Sequence, residues 1–416
     1  MKYRFWGGEK KASPGQERDE AQDNRFVKLV NSIIRFAVQK KASDIHFEVM
    51  NPDKMRVRIR IDGELVTTME VAEKDYLGMI SRIKILSGLD ISEKRRPQDG
   101  SFCFETEGRK IDLRVSVVPT VYSEKAVLRI LDAQTFLIPV KDLGLSFVNE
   151  QKVRGMLNQA NGLLLVTGPT GCGKTTTLYS LLKEKNTQAL NIITIEDPVE
   201  FHLEGINQIP VNERIGLGFG EGLRAILRQD PNVIMVGEIR DEETAATAVR
   251  AAITGHLVLS TLHTNDALST ITRLLDMGAA DYLLSTALRG IIAQRLLRKL
   301  CPHCRKACTA TEAERALFAF EKEQALYRAV GCEKCRHTGY LGRKGIFEVL
   351  CLNQGLREAI HAGASGASYE QFLSLARGSG LVLFSEIVRN EILNGVIDVA
   401  EGLRVMSYGS DETGMA

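Results

Sequence analysis

Several features that would mark a special class of protein are scarce or missing here. The 416 residues include one tryptophan and 6% aromatics, and no basic, aromatic-laced segment suited to stacking bases stands out. Basic and acidic residues nearly cancel, 54 against 52, for a formal net charge of +2. That balance gives no bulk pull on nucleic acid, so no nucleic-acid partner is expected. Apolar runs such as Leu163-Leu164-Leu165-Val166 stop far below the roughly twenty residues of a membrane span. Residues 1–24 are polar and charged without an apolar core, so no export is expected and the reading is cytoplasmic. Internal repeats and low-complexity tracts are absent. In a reducing compartment the eight cysteines are expected as thiols or metal ligands rather than disulfides. The length suggests two or three domains with full cores.

What is present centres on Gly168-Pro169-Thr170-Gly171-Cys172-Gly173-Lys174-Thr175-Thr176. This fits the phosphate-loop pattern G-x-x-x-x-G-K-[ST], with an apolar strand before it and a helical pattern after it. Glycines 168, 171 and 173 let successive backbone N–H groups face phosphate oxygens. Lys174 supplies a point charge for the β- and γ-phosphates, Thr175 can reach Mg²⁺, and the helix N-terminus favours the anion. Gly168, Thr170, Gly171, Cys172, Gly173, Lys174, Thr175 and Thr176 are therefore the expected set for binding a nucleoside triphosphate.

Around this loop the chain divides in order. Residues 1–23 read as a disordered arm and 24–132 as a small α+β domain. In that domain the alternation Arg56, Arg58, Arg60 with Val57, Ile59, Ile61 before Asp62-Gly63 predicts a hairpin. A linker is expected over 133–146 and the ATPase core over 147–300, with strands near 162–167, 191–196, 233–236 and 256–260. Strand–helix alternation there predicts a mostly parallel sheet, hence an α/β fold. A four-cysteine element over 301–344, a helical region over 345–405 and a loose tail over 406–416 complete the division. Beyond Ala267 the pattern reads as largely helical.

Two apolar strands end in acids: Glu196-Asp197 after residues 192–195, and Glu238 after Gly237. In a parallel nucleotide-binding sheet the strand C-termini open onto the ligand crevice, where acids hold the Mg²⁺ shell or orient water. Glu238 is expected to polarise the attacking water, while the acid nearest the metal shell stays open. His263 follows a third strand end and suits either a γ-phosphate sensor or a structural role. Cys301-Pro302-His303-Cys304 and Cys332-Glu333-Lys334-Cys335 are two C-x-x-C knuckles, whose four thiolates complete a closed tetrahedral Zn²⁺ site. A redox pair is the competing reading, but one knuckle would suffice for that. The stretch 309–330 between them is expected as a helical excursion. Cys308, His303 and His337 are read as bystanders, and Cys103, Cys172 and Cys351 as small buried or loop residues.

These motifs together resemble the secretion ATPase superfamily, in particular the ATPases of type II secretion and type IV pilus assembly. Thr194-Ile195-Glu196-Asp197-Pro198-Val199-Glu200 is similar to its aspartate box. Leu227-Arg228-Gln229-Asp230-Pro231-Asn232 through Gly237-Glu238-Ile239-Arg240-Asp241 is similar to its variant Walker B region, and Thr254-Gly255-His256 through Thr261-Leu262-His263-Thr264-Asn265 to its histidine box. Ala42-Ser43-Asp44-Ile45-His46, Arg60-Ile61-Asp62-Gly63 and Arg95-Arg96-Pro97-Gln98-Asp99-Gly100 extend the resemblance through the small domain.

The resemblance implies a RecA-like ATPase domain, a smaller PAS-like N-terminal domain and a zinc element. It implies a hexameric ring that hydrolyses ATP to drive pseudopilus or pilus assembly, peripherally held at the inner membrane by a platform protein. It also implies that Arg114 and Arg129 reach a neighbouring subunit's nucleotide, and that Arg224 and Arg228 lie nearer the nucleotide. Ser101 and Ser123 depart from the family's usual Arg and Gly. The zinc element favours assembly over retraction, since retraction ATPases generally lack it. Larger members carry a further N-terminal domain that docks on a membrane partner, and this sequence reads as a short form. A nucleic-acid-translocating ring and a non-hydrolysing scaffold are the alternatives; the near-neutral charge weighs against the first, and Lys174, Thr175 and Glu238 against the second.

Overall fold

A computed structural model gives the fold over residues 14–131, 137–362 and 369–407. The chain forms two compact units, Met1–Ala133 and Gln134–Ala416. In the first unit, helix α1 (Pro14–Gln39) precedes β1 (Asp44–Asn51), β2 (Lys54–Ile61), β3 (Glu64–Val71), α2 (Glu73–Leu86), β4 (Gln98–Thr106), β5 (Arg109–Pro119) and β6 (Glu124–Leu131). The helix starts at Pro14, so the later part of the expected disordered arm is helical. Residues 1–13 lie outside the described residues, as do position 132, positions 133–136 of the expected linker and the tail from 408. Asp62 and Gly63 both take positive φ, 51° and 90°, as the tight hairpin between β2 and β3 requires.

The six strands pair antiparallel in the order β3-β2-β1-β6-β5-β4. Strict alternation sends Val57, Ile59, Leu113, Val115, Leu128 and their neighbours into a core shared with Ile34 of α1 and Met79 of α2. The opposite face is mostly polar, with Leu65 and Val127 among its charged and polar side chains. Asp44 pairs in register with both Arg60 and Arg129, and Arg129 pairs with Arg114, so these four lie in one row across the sheet. Cys103 sits in β4 and is exposed, contrary to the expectation of a buried or loop position.

The second unit contains α3 (Phe147–Leu157), β7 (Gly162–Thr167), α4 (Lys174–Lys185), β8 (Ile192–Glu196), β9 (Asn207–Pro210), α5 (Phe219–Ile226), β10 (Val233–Val236), α6 (Glu242–Ile253), β11 (Leu257–Leu262), α7 (Ala267–Asp276), α8 (Asp281–Ala287) and β12 (Leu288–Leu300). It continues with β13 (Lys306–Thr309), α9 (Glu312–Phe318), β14 (Ala325–Arg328), β15 (Tyr340–Cys351), α10 (Gln354–His361), α11 (Tyr369–Gly378), α12 (Phe384–Leu393) and α13 (Val399–Met406). Among the described residues its main sheet has seven strands, in the order β15-β12-β7-β11-β10-β8-β9. All neighbours are parallel except β12 and β15.

The four expected parallel strands are all present; the expectation of a largely helical chain beyond Ala267 is not met. Residues 288–300 carry good helix formers, yet β12 lies between β7 and β15 with most of its side chains buried. Ladder bonds and packing on both faces override a modest helix propensity. The segment 309–330 is likewise not a helical excursion but a hairpin of β13 and β14 around short α9. The expected helical region over 345–405 is helical only from α10 onward, because β15 runs to Cys351.

Gly290 marks how closely β12 is approached. A Cβ there would meet Leu350 O at 2.6 Å and the buried thioether of Met156. Gly290→Ala should therefore destabilise the second unit by about 1–3 kcal/mol through overpacking. Urea unfolding followed on that unit should show the lower midpoint; an unchanged midpoint would contradict the packing described.

Candidate functional site

The C-terminal ends of the parallel strands are stitched to one another by backbone and side-chain hydrogen bonds, the side chains being ones to which sequence reasoning gave no such role. Gly237 N–H, just past β10, donates to Ile195 O of β8 at 2.8 Å. Thr261 of β11 donates to Gly237 O at 2.7 Å and Ser260 to Val236 O at 2.8 Å. At the end of β7, Thr167 Oγ1 donates to Leu262 O at 3.1 Å and accepts from Thr264 N–H at 3.1 Å. Arg295 of β12 donates to Asn265 O at 2.9 Å. The loops after β7, β8, β10 and β11 therefore share one frame.

The glycine-rich loop leaves β7 at Gly168 and enters α4 at Lys174. Gly168, Gly171 and Gly173 have φ of 143°, 78° and 95°, a region L side chains rarely adopt. At Gly168 a Cβ would also sit 2.3 Å from Gln294 O. Thr170 and Gly171 are exposed at the tip, Cys172 is buried, and Gly173, Thr175 and Thr176 are half-buried at the helix N-terminus. Lys174 Nζ folds back onto the loop carbonyls of Gly168 (2.6 Å) and Pro169 (3.2 Å). Burial lowers its pKa.

From Lys174 a row of polar and charged groups crosses the strand ends. Lys174 Nζ lies 3.5 Å from His263 Nδ1. His263 Nε2 lies 3.3 Å from Glu238 Oε2. Arg240 donates to Glu238 Oε1 at 2.6 Å and approaches Asp197 Oδ2 at 3.8 Å. Burial, then the Lys174 charge, lowers the His263 pKa below its ordinary value of 6.5, so at pH 7 the ring is neutral. An ammonium donor at Nδ1 assigns the ring proton to Nε2, which then donates to Glu238. Burial pushes the Glu238 carboxyl up, but hydrogen bonding and charge from Arg240 and His263 outweigh it and leave the pKa lowered. Glu238 is thus a carboxylate with two partners at the mouth of the sheet.

The structure brings together Lys174, His263, Glu238 and Asp197, and adds Arg240, which the sequence reading quoted without giving it a role. It does not bring Glu196 into the row. Glu196 is 3% exposed and accepts from Tyr179 Oη, Thr194 Oγ1 (2.5 Å) and Gln208 Nε2 (3.0 Å). Its lone pairs are taken up inside the core, where it ties α4 to β8 and β9. Arg224 holds Glu221 at 2.7 Å and Glu243, and Arg228 donates to Arg224 O at 2.9 Å. Arg224 does share with Arg240 an open recess of about 390 Å³ lined also by Phe219 and Asp241. In the first unit Arg129 donates to Asp44 at 3.3 Å and keeps 62% of its side chain exposed.

The four knuckle cysteines converge, with all ligand atoms within 4.8 Å of one another. Cys301–Cys332, Cys304–Cys335 and Cys332–Cys335 have Sγ separations of 3.9, 3.7 and 3.7 Å. A tetrahedron with Zn–S bonds near 2.3 Å has edges of about 3.8 Å, so the donor set fits zinc. Backbone N–H groups of Gly331, Cys332 and Gly339 point at Cys304 and Cys335 Sγ at 3.1–3.3 Å, the outer-shell pattern that stabilises thiolates. No helix among the described residues is long and apolar enough to cross a membrane.

Over residues 19–404 the chain matches the family described as type II/IV secretion system protein. It is 46% identical over 357 residues to type II secretion system protein E of Aeromonas hydrophila, covering 85% of this chain and 71% of that one. It is 44% identical over 395 residues to type IV pilus assembly ATPase TfpB of Acinetobacter baylyi, covering 94% of this chain and 67% of that one. Among solved structures it is similar to the ADP-bound pilus retraction motor PilT, with 29% identity and a TM-score of 0.63 over 92% of this chain and 97% of that one. A family match spanning the sheet, the glycine-rich loop and the cysteine cluster, with relatives this similar along both chains, places the protein: it belongs to the type II/IV secretion system protein family, as an ATPase that powers protein secretion or pilus assembly.

Proposed function

We propose that ATP binds with its phosphates in the loop formed by Gly168, Thr170, Gly171, Cys172, Gly173, Lys174, Thr175 and Thr176, and that Glu238 polarises the attacking water. The observation that carries this is the row Lys174–His263–Glu238–Arg240 across the strand ends. A carboxylate held there accepts a proton from water while Lys174 and the loop amides face the phosphates. Mg²⁺, when bound with ATP, neutralises phosphate charge, and Thr175 with Asp197 are the groups best disposed to hold its shell. Neutral His263 relays the position of Lys174 to Glu238 through its two ring nitrogens. Glu196 acts from behind, as the buried tie beneath this surface.

The loop is half of the site in this reading. Arg129 and Arg114, in one row on the polar face of the first unit's sheet, serve a neighbouring copy's nucleotide within a hexameric ring. Asp44 holds Arg129 in place, and Arg60 shares that aspartate at 3.5 Å. Arg224 and Arg228 act nearer home, setting the recess beside Arg240. Zn²⁺ on Cys301, Cys304, Cys332 and Cys335 is structural, since four thiolates leave no open position. The ring works on the assembly side of a pilus or pseudopilus, cytoplasmic and held to the inner membrane through a platform protein.

Three outcomes test this. Glu238→Gln should still bind ATP while steady-state phosphate release falls by about 10²-fold or more; normal release would remove Glu238 from its role. Arg129→Ala should leave nucleotide affinity near wild type and lower turnover by about 10³-fold. Mixing it with inactive Lys174→Ala chains should restore part of that turnover, because intact arginines then meet intact loops. Turnover within about threefold of wild type, under about 1 kcal/mol, would exclude the trans role. Cys301→Ser should lower the zinc content measured by atomic absorption and the thermal midpoint together; unchanged metal content would rule out the four-thiolate site.

A further inference from the structure

Gln294 lies in β12, a strand whose sequence carries no phosphate-binding signature, and it is 4% exposed. Both ends of its side chain are used on the glycine-rich loop and its helix. Its Nε2 donates to Cys172 O at 2.8 Å, and its Oε1 accepts from Thr177 Oγ1 of α4 at 2.6 Å. Its backbone carbonyl closes against Gly168, where a Cβ would approach to 2.3 Å, and its amide nitrogen would lie 3.0 Å from a Cβ on Gly173. The loop is therefore folded around this one residue, which stays on the protein side of it and cannot touch a ligand outside.

The consequence follows from peptide geometry. In a trans peptide the C=O and the following N–H point in opposite directions. Drawing the Cys172 carbonyl inward onto Gln294 turns the Gly173 N–H outward, and the positive φ of Gly173, 95°, accommodates that turn. We propose that Gln294 is a positioning residue for the phosphate site: its amide fixes the Cys172–Gly173 peptide plane so that the N–H, not the carbonyl, faces the bound phosphates. Released, the plane can present a carbonyl oxygen to an anion, and the cradle loses a donor and gains a repulsion. The Cys172 carbonyl, which can only accept, fixes which end of the amide faces it, and the Thr177 hydroxyl, able to donate or accept, then donates to Oε1 and holds the side chain in place. This rests on the reading that the loop holds ATP phosphates.

The test uses the full-length protein in ATP turnover, with Lys174→Ala as a control on that reading. Gln294→Met, similar in length but without either bond, should raise KM for ATP about tenfold with a smaller change in kcat, because cradle amides serve ground and transition states alike. Gln294→Glu keeps the shape and the acceptor for Thr177 but, ionised, has no proton for Cys172 O. Protonated, its carboxyl O–H can donate in the amide's place. The ratio of its KM to that of wild type should thus fall towards one as pH drops through the carboxyl's burial-raised pKa. A wild-type KM in both variants would overturn the proposal by showing that the residue only fills space, and a raised Gln294→Glu ratio that does not change with pH would overturn it by showing that the proton offered to Cys172 O is not what sets the loop. Unimpaired ATP binding by Lys174→Ala would instead strike the phosphate-loop reading itself.

Discussion

The placement of β7 between β11 and β12 is the constraint on which the rest of the second unit depends. A phosphate loop is backbone, and its N–H groups point correctly only if the strand before it and the helix after it are both held. Parallel pairing on both sides removes the strand's freedom to slip, since a one-residue shift would turn every side chain to the other face. From that pinned strand the loop emerges over β12, and Thr167 ties the end of β7 to the His263 loop. Thr261 and Gly237 carry the same registration outward to β10 and β8. The position of each acid is thus inherited from backbone pairing rather than from its own side-chain contacts.

On this frame the charges arrange themselves by mutual compensation. Lys174 and Glu238 are spaced too far apart to pair directly, and a neutral imidazole fits between them as acceptor to one and donor to the other. A protonated ring would repel Lys174, which is why burial and the lysine charge together lower the His263 pKa. Arg240 completes the row by keeping Glu238 ionised despite its partial burial. The same logic appears in the first unit, where Asp44 sits between Arg60 and Arg129 so that three arginines can share one face of a sheet.

Much of this was legible in the sequence wherever function depends on local chain chemistry. The glycine spacing before Lys174, the apolar strands ending at Glu196-Asp197 and Glu238, the Asp62-Gly63 turn and the paired cysteine knuckles all encode their structure within a few residues. Gln294 and Arg240 were not legible as parts of the site. Nothing near Gln294 signals that it will lie under a loop more than a hundred residues earlier in the chain. Glu196 shows the converse: beside Asp197 it reads as a crevice acid, but its carboxylate turns into the core towards Tyr179, Thr194 and Gln208. One residue along a strand reverses the face a side chain occupies.

The long strand β12 draws the line between the two kinds of information. Leu288–Leu300 has a helix-forming composition, and only burial against β7 on one side and β15 on the other makes it a strand. Local spacing determined that this chain has a phosphate loop, acids at strand ends and a four-thiolate cluster, because each needs particular residues at short, fixed intervals. Tertiary structure decided which acid His263 links to Lys174, which arginine steadies Glu238 and which amide orients the loop. Those choices depend on strand order and register, which arise from long-range pairing that no short stretch of sequence contains.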